Sequence, residues 1–82
     1  MMEKSVQENT VKLLVNSGAV SDVTVVAVSK SNRKRFSVKF KIGIDELAVA
    51  SKREPIRLWS SLDTVAEWLR EMGITDVSLK IV

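Results

Sequence analysis

Hydrophobic and polar residues alternate along much of this chain, and changes in the period divide it into elements. The alternation is strictest over residues 35–42, where the apolar positions are Phe36, Val38, Phe40 and Ile42. A period of two over this length predicts a strand with one apolar face and one polar face. The polar face of that strand is basic, since its residues are Arg35, Ser37, Lys39 and Lys41.

Four other segments have the composition of strands. Residues 20–29, "VSDVTVVAVS", are dense in Val and Thr, and the shorter segments are "ELAVAS", "IRLWS" and "DVSLKIV" at 46–51, 56–60 and 76–82. β-branched and aromatic residues between polar boundaries favour strands. In "IRLWS" the alternation places Ile56 and Leu58 on one face and Arg57 and Trp59 on the other.

Turn residues separate the first four strands. "KSNRK" contains Ser31 and Asn32, which tolerate tight turns, a second turn is predicted at 43–46, and "KREP" contains Pro55, which disfavours helix in the residue before it. The near-regular spacing of these turns predicts a four-stranded antiparallel meander.

Two segments have helical periodicity. Residues 3–17 carry an apolar stripe with acids leading, and Gly18 suits the helix end. A second helix is expected from a cap at Ser60 or Ser61 to Gly73, with an apolar stripe of Leu62, Val65, Ala66, Leu69 and Met72. Trp68 lies on the flank of that stripe, and burial in the core is the simpler expectation for it.

These elements predict one α+β domain over residues 1–82, with the order helix, four-stranded meander, helix and C-terminal strand (α-β-β-β-β-α-β). The chain has 82 residues, of which 45% are hydrophobic and 28% charged, which fits a single folded core. No apolar run approaches the length of a membrane span, and "MMEKSVQENT" lacks the apolar segment of a signal peptide. We therefore expect a cytoplasmic protein without a membrane partner.

Composition argues against catalysis. The sequence contains no Cys, His or Tyr, which removes common bases, metal ligands and nucleophiles. Its acids are scattered, and Glu67 and Glu71, four residues apart on the second helix, are interpreted as solvated surface beside Arg70. Each glycine stands alone, so no phosphate-binding glycine loop is present. We expect no enzyme activity, no cofactor, no metal and no small-molecule substrate.

Charge is concentrated in the middle of the chain. The net charge is +3 from 13 Lys and Arg against 10 Asp and Glu. Residues 29–42 contain no acid, and the predicted hairpin there forms a basic β-ribbon. The candidate nucleic-acid-binding residues are Lys30, Arg33, Lys34, Arg35, Lys39 and Lys41, joined by Lys52, Arg53 and Arg57 from the next predicted hairpin. If strands pair in sequence order, Arg57 shares the outer sheet face with Lys39 and Lys41.

Two interpretations of this surface stay open. Lys on an exposed strand face is common and also blocks unwanted edge pairing, so the lysines of "FSVKFKI" are explained by folding alone. The cluster in "KSNRKR" has like charges without a local acid, which favours a polyanion partner, DNA ahead of RNA. An acidic protein is a further alternative.

Trp59 suggests a second kind of partner. It lies opposite Ile56 and Leu58 in strand phase, beside Arg57. If the ring is exposed, it is a candidate anchor for a protein partner or a platform for a base. An edge strand of such a small domain would also allow a homodimer through strand pairing.

Residues 51–82 resemble a recurrent segment of small, poorly characterised proteins of bacterial plasmids and integrative elements, some of them labelled partition-accessory (ParC-like). The shared features are a basic turn ending Glu-Pro, a short strand with an aromatic residue, and a Ser-Leu-Asp helix start before Arg-Glu-Met-Gly-Ile. The matching residues are Arg53, Glu54, Pro55, Trp59, Ser61, Leu62, Asp63, Arg70, Glu71, Met72, Gly73 and Ile74. The resemblance implies a mobile-element setting and no mechanism.

Together these features predict a small non-enzymatic protein that binds nucleic acid, or serves as a plasmid or mobile-element accessory, through the basic β-ribbon. The alternative is a protein-interaction module or homodimerising adaptor of a mobile element that does not contact nucleic acid.

Overall fold

The computed structural model describes residues 5–51 and 53–82, apart from the side chain of Lys30. These described residues form five strands and two helices in an α+β arrangement. In chain order the elements are β1 (Ser5–Gln7), α1 (Glu8–Asn16), β2 (Val20–Lys30), β3 (Arg33–Ile42), β4 (Asp45–Ala50), α2 (Leu62–Glu71) and β5 (Ser78–Ile81).

The strands form one mixed sheet in the order β1-β4-β3-β2-β5. β2, β3 and β4 are consecutive antiparallel neighbours, while β1 joins β4 and β5 joins β2 in parallel. The predicted meander is therefore correct for three strands. The expected fourth strand at 56–60 contributes only one antiparallel bridge, between Phe36 and Trp59. The strand β1, which was not predicted, occupies residues 5–7 of the expected first helix, and residues 3 and 4 of that helix lie outside the described residues.

Two tight hairpins connect the three central strands. Ser31 and Asn32 both have positive φ, at 52° and 63°, so the β2–β3 connection is a two-residue turn whose twist matches that of its strands. Gly43, with φ 60°, and Ile44 make the corresponding turn between β3 and β4. The second predicted turn is thus shorter than 43–46, and β4 begins at Asp45.

Both helices end in the motif that their glycines predict. After α2, the amide of Ile74 donates to the Leu69 carbonyl and that of Gly73 donates to Arg70, which is a Schellman ending. The amides of Ala19 and Gly18 make the equivalent bonds after α1. At the start of α2 the Ser61 hydroxyl accepts a hydrogen bond from the Thr64 amide at 3.3 Å.

The core lies between one face of the sheet and the two helices. Alternation brings the inward side chains of β2, β3 and β4 together with those of α1 and α2. The buried cluster consists of Val11, Val23, Val25, Val38, Phe40, Val49, Trp59, Val65, Trp68 and Leu69. Trp68 is buried, as the flank of its helical stripe suggested, whereas Leu62 and Ala66 of the predicted stripe are exposed.

The opposite face of the sheet, here called the outer face, is partly covered by the chain between β4 and α2. Residues 53–56 and Leu58 line a groove of about 600 Å³ together with Val26, Val28 and Ser37. Val26 and Ser37 are buried there. The predicted division of "IRLWS" is correct, since Leu58 faces this groove and Trp59 faces the core.

Candidate nucleic-acid interface

The β2–β3 hairpin extends beyond the strands beside it. On one side, the last bond to β2 runs from the Val82 amide to the Ala27 carbonyl, at 3.1 Å. On the other side, Phe36 and Trp59 exchange two backbone hydrogen bonds of 2.8 and 2.9 Å. Within the described part of the chain, neither neighbour follows the hairpin farther. Residues 28–35, here called the hairpin tip, therefore form a two-stranded projection.

The hairpin tip presents cations on both of its faces. Arg33 and Arg35 lie on the outer face of the sheet, and Lys34 lies on the opposite face, opposite Ser29. Arg33 and Lys34 are exposed, and Arg35 is half-buried. The Arg35 guanidinium donates to the Lys34 carbonyl at 3.0 Å. Lys30 pairs with Arg33 in the backbone register, which brings a fourth basic residue to the tip.

Lys39 and Lys41 differ from the tip residues in having acidic neighbours on the adjacent strands. Asp22 of β2 and Glu46 of β4 are the two register partners of Lys41. Directly opposed strand residues point to the same face, so two acids flank Lys41 on the outer face and lie diagonal to Lys39. The stretch 29–42 contains no acid in sequence. In the folded sheet, however, Asp22 and Glu46 offset the positive charges of Lys39 and Lys41. In the tip, by contrast, the cross-strand partners of Arg33, Lys34 and Arg35 include no acid.

Arg57 is not part of the outer basic face, contrary to the expectation from sequential strand pairing. Its guanidinium forms an ion pair with Glu8 in the first turn of α1. The guanidinium carbon also lies 4.5 Å from the centre of the Trp59 ring. These contacts place Arg57 on the helix side of the sheet. The segment around it pairs with β3 through the single Phe36–Trp59 bridge, and in that arrangement Arg57 and Trp59 both point toward the helices. Arg57 therefore stabilises the fold.

Arg53 and Lys52 are the other two candidate binding residues from the predicted third turn, and only Arg53 is among the described residues. Arg53 is exposed and lines the outer-face groove with Lys39, but it also lines a second depression with Glu8 and Arg57. It therefore lies between the outer basic face and the Arg57 ion pair. Lys52 lies outside the described residues.

Glu54 also lies in this region and was not among the predicted site residues. It lines a shallow depression of about 510 Å³ with Ser31, Arg33, Arg35 and Leu58. A carboxylate beside two arginines lowers the local positive potential on the outer side of the tip. Glu54 is distant from the tip in sequence, so only the path of the chain across the outer face brings it there.

Trp59 does not meet the condition for a surface anchor. Only 5% of the residue is exposed, and its ring packs against that of Trp68, with centroids 5.1 Å apart and planes inclined by 52°. Tilted aromatic pairs at this separation are favourable core contacts. Trp59 accordingly joins the sheet to α2, and its ring is not a platform for a partner in this structure.

The acidic side chains of residues 5–51 and 53–82 do not converge on a common site. No group of three acidic side chains there is placed to hold a metal ion. None of the helices in that part of the chain is both long and apolar enough to cross a membrane.

Comparisons of the chain with protein-family models, with curated proteins and with solved structures found no match.

Proposed function

We propose that this protein is a small non-enzymatic nucleic-acid-binding protein whose contact surface is the hairpin tip. One observation carries the proposal: residues 28–35 project beyond both neighbouring strands with Arg33, Lys34 and Arg35 at the end. Folding requires a turn there but does not require three adjacent cations. Like charges held together on a projection are favourable when they meet a polyanion.

The shape of the projection supports DNA ahead of RNA. The major groove of B-form DNA, about 12 Å wide, admits a two-stranded β-ribbon. The major groove of an RNA helix is deep and narrow and excludes side chains. Arg33 and Arg35 share one face of the ribbon, and guanidinium groups suit the bidentate geometry of phosphate oxygens. Lys39 extends the same face away from the tip.

The remaining expectations about setting belong to the same proposal. The proposed location is the cytoplasm, supported by the absence of Cys and of a signal-like apolar segment in the sequence. A role as an accessory of a plasmid or integrative element rests on the resemblance over residues 51–82. A protein-interaction role through Trp59 receives no support, because the ring is buried.

The test compares DNA binding of the native protein with that of an Arg33→Glu/Arg35→Glu variant. Fluorescence anisotropy with a labelled duplex is measured over a series of salt concentrations. We expect the native affinity to fall linearly with salt on logarithmic axes and the variant's slope to be smaller by about 2, since each phosphate contact contributes about 0.9. Because phosphate contacts carry no sequence information, the loss should be similar for unrelated duplexes.

A Lys12→Glu/Arg70→Glu variant is the matched control. It has the same net charge as the test variant, but its substitutions lie on exposed positions of α1 and α2. We expect it to retain most of the native affinity. Equal losses in the two variants would show that only net charge matters, and no binding by the native protein at low salt would contradict the proposal.

A further inference from the structure

β5 is an edge strand with an unusually apolar and open side. It pairs with β2 along one edge, and no strand in the described ranges 5–51 and 53–82 lies along the other. Leu79 and Ile81 lie on the same face as the core residues of β2, yet they are 52% and 79% exposed. The helices cover the other strands and leave this strip of the sheet open.

The backbone of β5 also has free hydrogen-bonding groups. The Val82 amide donates to β2, so alternation directs the amides and carbonyls of Ser78 and Lys80 to β2 as well. The same alternation directs those of Leu79 and Ile81 away from the sheet. Exposed edges are usually blunted by proline, bulges or several charges. β5 has one lysine, Lys80, whose side chain lies on the outer face.

We infer that residues 75–81, which comprise β5 and the three residues before it, pair antiparallel with the same segment of a second copy of this chain. Ser78 lies on the two-fold axis, and residues 75–77 extend β5 in the pair. In this register Val77 of one copy lies opposite Leu79 of the other. With residues 75–77 extended, Val77 directs its backbone groups outward as Leu79 does, so the two residues form the hydrogen-bonded pairs that an antiparallel ladder requires. The apolar strip then continues from one copy to the other across the helix-side face.

Charge selects this register and this partner. With Ser78 on the axis, Asp76 lies opposite Lys80 of the second copy, and the two-fold symmetry makes that pair twice. With Leu79 on the axis, Lys80 would lie opposite Ser78 and no charge pair would form, and with Lys80 on the axis the two lysines would oppose each other, which is unfavourable. Asp76 lies two residues before β5 and is opposite in charge to Lys80 within β5. The segment is therefore complementary in charge to a second copy of itself in antiparallel orientation.

The test measures self-association in the absence of nucleic acid by sedimentation equilibrium, between about 10 µM and about 1 mM protein. We expect the native chain to form dimers and Lys80→Glu to raise the dissociation constant at least about tenfold, since both cross-strand pairs become repulsive. Asp76→Lys/Lys80→Glu reverses both signs and should restore dimerisation. The control is Ile44→Glu, which removes a 96% exposed apolar residue from the far hairpin and should change nothing.

Hydrogen exchange distinguishes strand pairing from other self-association. The amides of Leu79 and Ile81 should become protected as protein concentration rises, whereas that of Lys80, bonded to β2, should be independent of concentration. A native chain that stays monomeric, or a Lys80→Glu variant that dimerises as well as the native chain, would overturn the inference. Neither result depends on whether the hairpin tip binds DNA.

Discussion

At the scale of single residues, Arg57 shows how a basic residue in a promising segment can belong to the fold. It lies two positions before Trp59, and both side chains turn toward the helices. The guanidinium meets Glu8 and the face of the Trp59 ring, so its charge is used within the molecule. Proximity in sequence to other cations did not indicate this, because Glu8 is brought to Arg57 only by the position of α1.

We predict that Arg57→Ala lowers stability without selectively weakening DNA binding. The loss of a half-exposed ion pair and a cation–π contact should reduce the free energy of unfolding by about 1 kcal/mol. Urea denaturation gives this value, and anisotropy gives the affinity. Lys12→Ala removes the same charge from an exposed position of α1 and should leave stability nearly unchanged. If Arg57→Ala loses much more affinity for DNA than Lys12→Ala, the prediction is wrong and Arg57 takes part in DNA binding.

The two tryptophans define a second prediction at this scale. Trp68→Ala removes a buried ring that packs on Trp59, and such substitutions cost about 3–5 kcal/mol through lost contacts and the cavity left behind. Leu62→Ala, on the same helix but 45% exposed, should cost much less. Thermal and urea unfolding of both variants measures the difference. Similar small losses would mean that α2 is not anchored through Trp68.

At the scale of elements, the β2–β3 hairpin depends on its turn. Ser31 and Asn32 hold the left-handed conformation that a two-residue turn of this type needs, and this conformation is costly for β-branched residues. The turn therefore fixes the register in which Val26, Val28 and their partners face the outer groove. It also fixes the arrangement of Arg33, Lys34 and Arg35 immediately after it.

A pair of identical substitutions tests this dependence. Ser31→Val should destabilise the protein by about 1–2 kcal/mol, because valine at positive φ is strained. Ser29→Val, two residues earlier in extended and exposed strand backbone, should be neutral or slightly stabilising. Urea unfolding of both variants provides the measurement. Equal effects would show that side-chain chemistry, rather than turn conformation, determines the cost.

The elements also show what local pattern predicts and where it fails. The alternation in β3, the serine cap and glycine end of α2, and the turn at Ser31 were predictable because neighbouring residues determine them. β1 was missed because a three-residue strand with one apolar residue, Val6, has no period to detect. It exists through parallel pairing with β4, which is remote in sequence.

The same limit applies to the candidate site. The cations of the hairpin tip were predictable from their clustering in "KSNRKR". The acids beside Lys41 and the carboxylate of Glu54 were not, because Asp22, Glu46 and Glu54 reach the basic surface through strand register and chain path. The predicted surface of nine cations therefore contracts toward the tip.

At the scale of the whole molecule, the two proposals combine into one geometry. A two-fold axis perpendicular to the sheet keeps the outer faces of both copies on the same side, so Arg33 and Arg35 of both copies face one ligand. The tips point in opposite directions along the strands. For an untwisted sheet, the strand spacing and rise given by general geometry place the two tips about 50 Å apart.

This separation predicts how binding depends on DNA length, provided both proposals hold. A duplex of about 20 base pairs, at 3.4 Å each, spans both tips, whereas one of about 10 base pairs reaches one. The longer duplex should therefore bind the native dimer more tightly than its extra sites alone explain, because the second tip binds at high effective concentration. Lys80→Glu should lose this gain, and Asp76→Lys/Lys80→Glu, with native net charge, should regain it. A gain that is the same for all three proteins would show that each chain binds DNA independently, even if the dimer forms.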